Sequence, residues 1–146
     1  MNILLDTHIL IWALTADDRL SEKAKDFIVN PDNIIYYSAA SIWEISIKHT
    51  LHPDKIPFSG KELSSFCTQA GYEPLDISDR HVFSLETLKR SENVKPHNDP
   101  FDRIMISQAK AENMLFLTHD TLLPYYNNRI SKRCTIEDCQ WLFPCS

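Results

Sequence analysis

The sequence predicts an α/β domain built on a parallel sheet. Short apolar runs that suit buried strands alternate along the chain with segments that suit helices. Hydrophobic residues make up 43% of the 146 residues, so the chain can bury a core without disulfides or other cross-links. No internal repeat or low-complexity stretch divides it. We therefore expect residues 1–146 to form a single domain.

Three apolar runs have the length and composition of strands. Asn2–Leu5 is a short apolar run, and Ile34–Tyr37 is rich in β-branched and aromatic residues. Met114–Leu117 is the third predicted strand. Open parallel sheets bind ligands outside the carboxyl ends of their strands, so the residues directly after these runs are candidates for a site.

Six segments are predicted as helices. They are Ile9–Leu14, the residues after the capping Ser21, Ala40–His49, a segment around Leu63–Ala70, Ser78–Leu88 and Pro100–Asn113. In the second helix, the residues expected to point inward are Ala24, Phe27 and Ile28. In the fourth they are Leu63, Phe66, Cys67 and Ala70. In the last they are Phe101, Met105 and Ala109, with Arg103, Ser107 and Lys110 expected on the opposite, exposed face.

Composition excludes several classes of site. Gly60 and Gly71 are the only glycines, which rules out a Walker A loop, a dinucleotide fingerprint and a hydrolase nucleophile elbow. The cysteines contain no C-x-x-C pair, so we expect free thiols, with a disulfide among Cys134, Cys139 and Cys145 left open. No apolar run approaches the roughly 20 residues that span a bilayer, and no basic region precedes the apolar start. We therefore expect a cytoplasmic protein with no membrane partner.

The net charge of −5 argues weakly against a nucleic-acid partner, because phosphate binding requires Lys and Arg. It is compatible with one if the acids serve metal ions and the basic residues share a face. Two local basic clusters fit either RNA contact or an ordinary solvated surface: Lys89, Arg90 and Lys95, and Arg129, Lys132 and Arg133.

Acidic residues follow the predicted strands or open a helix at four places. Asp6 follows the first strand, Glu44 lies after the second, and Asp120 follows the third. Asp99 and Asp102 open the last helix. If the sheet is parallel, all of these acids gather at one edge of it.

Taken one at a time, these acids have structural explanations. Asp6 and Asp99 suit helix caps, the latter with proline at the next position. Glu44 completes a capping-box pattern with Ser41 and can also pair with Lys48 one helical turn on. Asp120 suits a turn.

The collection is harder to explain structurally. Carboxylates in one cleft repel each other and raise each other's pKa, so a fold has no structural reason to gather them without a cation. Hard divalent ions such as Mg²⁺ take carboxylate oxygens as ligands. Such a site can turn water into a nucleophile and stabilise the leaving oxygen of a phosphodiester.

Four segments resemble, in order and spacing, the motifs of PIN domains. They are Asp6-Thr7-His8, the Glu44 segment, Asp99-Pro100-Phe101-Asp102-Arg103 and Thr118-His119-Asp120. The Asp-Pro-Phe-Asp-Arg segment is similar to that of one bacterial VapC-type branch, and the resemblance covers nearly the whole chain. It implies a PIN-like, three-layer α/β/α fold with helices flanking the sheet.

The resemblance also implies a site and a function. The catalytic, metal-binding quartet would be Asp6, Glu44, Asp102 and Asp120, with Mg²⁺ or Mn²⁺ as the cofactor. Asp99 is kept as the helix cap. The implied activity is endonucleolytic cleavage of RNA by a toxin, with a protein antitoxin as partner and a homodimer as the frequent assembly.

Histidine and tryptophan add weaker candidates. His49 and His52 are expected to be surface residues, and His97 and His119 could carry protons, although a two-metal mechanism does not require them. Trp12 and Trp43 are expected in the core or at an interface. The first helix is apolar nearly all round, so we expect part of it to stay exposed as a surface for the antitoxin or for a second copy.

Two other functions stay open on the residues alone. A phosphatase acting through an aspartyl-phosphate would need a second acid two residues after Asp6, where the chain has His8. A metal-binding regulatory or binding module without nuclease activity would use the same acids without cutting RNA.

Overall fold

The computed structural model describes residues 1–88 and 99–119, together with the backbone of 141–144. Eleven elements follow one another along these residues: β1 Asn2–Leu5, α1 Thr7–Thr15, α2 Glu22–Val29, β2 Ile34–Ser38, α3 Ala39–Leu51, α4 Gly60–Gln69, β3 Glu73–Leu75, α5 Asp79–Leu85, α6 Pro100–Ala111, β4 Leu115–Thr118 and β5 Trp141–Pro144. They form a five-stranded sheet in the order β3-β2-β1-β4-β5. The expected α/β fold, with helices on a mainly parallel sheet, is confirmed.

The core lies on both faces of the central strand β1. Ile3, Leu4 and Leu5 are completely buried, and successive strand residues point to opposite faces. Ile3 and Leu5 belong to a cluster with side chains of α1, α2 and α4. Leu4 belongs to a second cluster, built mainly by α6 and β4. These two clusters are the interfaces of a three-layer α/β/α domain.

Two strands, β3 and β5, are not among the strands predicted from the sequence. β3 is only three residues long and contains Glu73 and Pro74, and it lies at the sheet edge, where proline costs no ladder hydrogen bond. β5 pairs with β4 in the antiparallel direction. The sheet is therefore mixed: four strands are parallel, and an antiparallel edge strand completes it.

Two predicted helix faces are partly wrong. In α4, Leu63 and Cys67 are buried, but Phe66 is exposed and Ala70 is the exposed C-cap. In α6, Ser107 was expected opposite the core, yet it is completely buried and its hydroxyl donates to the backbone carbonyl of His81. The reason is that α5 packs on this side of α6, so α6 is covered on two sides.

The expectation of an exposed apolar surface on α1 is wrong for Ile9, Leu10 and Trp12, while Ile11 and Leu14 stay partly exposed. Ile9 and Leu10 are completely buried and Trp12 is buried, because the core cluster surrounds the helix with side chains of the sheet, α2 and α4. An all-round apolar helix here marks a central position in the fold. Among the residues that the structure describes, no helix is both long and apolar enough to cross a membrane.

Candidate active site

A pocket of about 130 Å³ lies where β1 and β4 end. Its described lining residues come from four parts of the chain: Asp6, Thr7, His8, Glu44, Lys48, Asp99, Asp102 and His119. A larger groove of about 480 Å³ lies at the amino ends of β2 and β3, and Glu73 is the one acid among its described lining residues. The smaller pocket is the candidate site, because it lies at the carboxyl ends of parallel strands and concentrates ionisable groups.

Asp6 is buried at the junction of β1 and α1, and both of its oxygens are used. Oδ1 accepts from the backbone N–H of Ile9 at 2.7 Å, which makes Asp6 the N-cap of α1. Oδ2 accepts from the Thr118 hydroxyl at 2.5 Å and from the backbone N–H of His119 at 3.3 Å. The cap explanation is therefore correct but incomplete, since the second oxygen ties the end of β1 to the end of β4.

Glu44 is buried inside α3 and not in its first turn. Ser38 is the N-cap, because its hydroxyl accepts from the backbone N–H of Ala40 at 3.0 Å, so the capping-box explanation with Ser41 is wrong. Glu44 Oε1 accepts from the Thr7 hydroxyl at 2.9 Å, and Oε2 lies 2.5 Å from Lys48 Nζ. The predicted pairing of Glu44 with Lys48 is confirmed.

Thr7 fixes the position of Glu44. Its single hydroxyl hydrogen goes to Glu44, so in the 2.9 Å contact between the Thr7 and Ser41 hydroxyls only Ser41 can donate, and the Ser41 hydrogen is shared between Thr7 and Met105 Sδ at 3.4 Å. This chain of hydrogen bonds crosses from α1 to α3 between buried groups. Sequence reasoning assigned no role to Thr7, and its only signal was its position next to Asp6.

Asp99 and Asp102 approach the pocket from the start of α6. Asp99 Oδ1 accepts from the backbone N–H groups of Phe101 and Asp102 at 2.9 and 3.0 Å, with Pro100 in the first turn, so Asp99 is the predicted helix cap. Asp102 is half-buried one turn further. Asp120 lies outside the described residues, as do His97, both basic clusters and the last three cysteines.

The family model of the PIN domain matches residues 3–127, which is most of the chain and includes the pocket-lining residues. The chain belongs to the PIN domain family. PIN domains are nucleases, so the pocket with its acids is the candidate active site. No curated protein sequence matches the chain.

A solved structure shares this PIN fold. The chain is similar to one in the crystal structure of VapBC2 from Rickettsia felis bound to a DNA fragment from their promoter. The TM-score is 0.56 and the sequence identity is 19%, over 82% of this chain and 89% of the other. At this identity, the likeness establishes the fold.

Two histidines line the pocket beside the acids. The rings of His8 and His119 meet edge to face at 4.6 Å, and His119 also packs 4.7 Å from the buried Trp12. His119 Nδ1 lies 3.5 Å from Asp6 Oδ2. Burial lowers the pKa of His8, and the neighbouring His119 lowers it further. A neutral His8 leaves more of the negative charge of the pocket uncompensated near pH 7.

The structure also shows where the other described histidines and tryptophans singled out from the sequence lie. His49 is half-buried and its Nδ1 lies 2.6 Å from the carbonyl oxygen of Ile56, while His52 is the exposed C-cap of α3. Trp12 is a core residue. Trp43 is 57% exposed and packs edge to face on Phe101 at 5.0 Å.

The donor set suits a hard divalent cation. Asp6, Glu44, Asp99 and Asp102 line one pocket and offer carboxylate oxygens, and no cysteine lies among the described lining residues. Within residues 1–88 and 99–119, however, no three Asp, Glu, His or Cys side chains converge closely enough to ligate one ion. Asp6 and Glu44 instead keep the hydrogen-bond partners described above.

Proposed function

We propose that this PIN domain is an endoribonuclease that depends on Mg²⁺ or Mn²⁺, and that it is the toxin of a VapC-type toxin–antitoxin pair. The observation that carries the proposal is the pocket at the carboxyl ends of β1 and β4, which Asp6, Glu44 and Asp102 line together. Membership of a nuclease family supports the hydrolysis of phosphodiester bonds. The VapC-like Asp99–Arg103 segment supports RNA as the substrate and the role of a toxin.

In this mechanism Asp6, Glu44, Asp102 and Asp120 would hold the cation. A divalent ion bound there would activate water as the nucleophile and stabilise the negative charge of the leaving oxygen. The protein orients the ligands: Thr118 and the His119 amide hold Asp6, and the Thr7 hydroxyl holds Glu44. Burial of both carboxylates keeps their orientation fixed before substrate binds.

RNA cleavage by the purified protein should require Mg²⁺ or Mn²⁺ and stop when EDTA is added. Zinc should not be required, because oxygen ligands dominate the pocket. The measurement is endonucleolytic cleavage of a structured RNA, with single-stranded DNA of the same sequence as the test of RNA preference. Full activity in the presence of EDTA would contradict this mechanism. Metal binding without RNA cleavage would favour the alternative of a regulatory or binding module.

We propose an antitoxin as the partner that restrains this nuclease in the cytoplasm, and we propose that the protein acts as one domain over residues 1–146. The structural match to VapBC2 from Rickettsia felis, bound to a DNA fragment from its promoter, supports a search for such a partner. Co-expression with the neighbouring small gene should yield a complex in which RNA cleavage is suppressed.

We further propose a homodimer, with a stripe on α3 as its contact surface. Trp43, Ile47 and Leu51 lie at successive helical turns and are 57%, 38% and 67% exposed. Exposed aromatic and aliphatic side chains in one row are typical of interface cores. A two-fold interface needs only one such self-complementary surface.

Leu51→Glu should convert the dimer to monomers, because a charge would have to be desolvated in the contact. Sedimentation velocity at micromolar concentration measures the mass. Val29→Glu is the matched control, since Val29 is also an exposed apolar residue at a helix end, on α2. A wild-type monomer, or a Leu51→Glu dimer of unchanged affinity, would remove the α3 stripe as the interface.

A further inference from the structure

Lys48 is the only lysine or arginine that lines the pocket within the described residues. It extends from α3, one turn after Glu44, and its Nζ lies 2.5 Å from Glu44 Oε2. The Glu44 side chain is 8% exposed, whereas the Lys48 side chain is 46% exposed. The carboxylate is therefore fixed and buried, and the ammonium group reaches it from the solvent side.

The charges explain why this contact forms. Four carboxylates of the described residues line a pocket of about 130 Å³, and their negative charges repel one another. Thr7 gives Glu44 a hydrogen bond but no positive charge. The Lys48 ammonium supplies that charge at Oε2, the one Glu44 oxygen that Thr7 does not use.

A cation bound by Glu44 would share an oxygen with a hydrogen-bond donor. Oε1 accepts from the buried Thr7 hydroxyl and Oε2 from the half-exposed Lys48 ammonium, so Oε2 is the oxygen whose present partner can move away into solvent. An ammonium at 2.5 Å and a divalent ion on the same oxygen would place two positive charges within a few ångströms of each other. Their mutual repulsion favours a pocket that holds one of them at a time.

We propose that Lys48 is the resident counter-ion of Glu44 and competes with the divalent cation for Oε2. Lys48 stabilises the metal-free pocket and is displaced when the ion binds, so it sets the affinity of the site for metal. This inference rests on the proposed metal-dependent function and adds a residue whose role opposes that of the acidic ligands. It predicts that removal of the Lys48 charge tightens cation binding more than removal of a positive charge elsewhere on the surface does.

The test is the affinity for Mn²⁺, measured by calorimetric titration and by the thermal shift at saturating Mn²⁺. Lys48→Met should bind Mn²⁺ about tenfold more tightly than wild type, in the range usual for coupled sites, and should have a lower melting temperature without metal. Lys48→Arg should keep the weak affinity, because it keeps the charge. Lys25→Met is the matched control, since Lys25 also pairs with an acid on its own helix, Glu22, at 2.7 Å on the surface.

The outcomes separate this inference from the proposed function. Unchanged or weaker Mn²⁺ binding by Lys48→Met, in a protein that still cleaves RNA with Mn²⁺, would overturn the competition alone. Equal tightening by Lys25→Met would also overturn it, because the effect would then be one of net charge. Wild-type protein that binds no Mn²⁺ and cleaves no RNA would overturn both proposals.

Discussion

Asp102→Asn should lower RNA cleavage by at least about 100-fold, since loss of a preorganised group that stabilises developing charge costs this much or more. The free energy of unfolding without metal should stay within about 1 kcal/mol of wild type. Asp102 is half-buried in the first turn of α6, and asparagine has the same shape without the charge. The small loss of a favourable charge at the helix start is offset by weaker repulsion among the pocket carboxylates. Initial cleavage rates with Mg²⁺ and urea unfolding in EDTA measure the two effects.

Asp99→Asn is the matched control for Asp102→Asn. Asp99 lies three residues earlier on the same helix start, and its Oδ1 makes the two capping bonds that an asparagine oxygen can also make. Both cleavage and stability should therefore change little. If Asp102→Asn instead unfolds the protein, and the fraction that stays folded cleaves RNA at the wild-type rate, Asp102 is structural and has no part in catalysis.

Asp6 is a less suitable residue for this experiment than the sequence alone would indicate. An asparagine there could still cap α1, but its amide would face the Thr118 hydroxyl and the His119 N–H, which both donate to Asp6 Oδ2. The His119 N–H would lose its acceptor, and an unsatisfied buried group costs about 1–3 kcal/mol. A loss of activity in Asp6→Asn would therefore combine chemistry with a local structural change.

The parts of the fold that the sequence predicts are those with a strong local pattern. β1, β2 and β4 are recognisable as apolar runs, because each is buried by its neighbours. β3 has no such pattern, since an edge strand of three residues with Glu73 and Pro74 is specified by its partner β2. α1 was recognised as a helix, but whether its apolar sides face a partner or the protein's own core depends on α2 and α4, which no local pattern encodes.

The candidate site also has a part that the sequence predicts and a part that it does not. Its acids could be found because strand ends and a helix start place them, and a parallel sheet brings those places together. The spacing of Glu44 and Lys48 on one helix indicated their contact, but the role of Thr7 could not be found, because it depends on a contact between distant segments. Thr7 and Glu44 are 37 residues apart, and nothing in either segment specifies that α1 and α3 lie side by side with these two groups in contact.

The packing of α3, which carries Glu44 and Lys48, depends on a glycine. Gly60 is the first residue of α4, and a Cβ there would lie 2.8 Å from the carbonyl oxygen of Ile42 and 1.9 Å from Ser46 Oγ, both on α3. The serine hydroxyl can rotate away. The backbone carbonyl cannot, so the two helices would have to separate.

Gly60→Ala should therefore lower the free energy of unfolding by about 3 kcal/mol, the upper part of the usual range for overpacking. Gly71→Ala is the control, because Gly71 has a φ of +79° and open space around its Cβ position. Only the strained backbone conformation should lower its free energy of unfolding, by about 1 kcal/mol. Combining Gly60→Ala with Ser46→Ala should restore only part of the loss, because the Ile42 carbonyl remains in place. Urea unfolding of the four proteins measures these differences. A Gly60→Ala variant as stable as Gly71→Ala would mean that α3 and α4 are not in close backbone contact at this point.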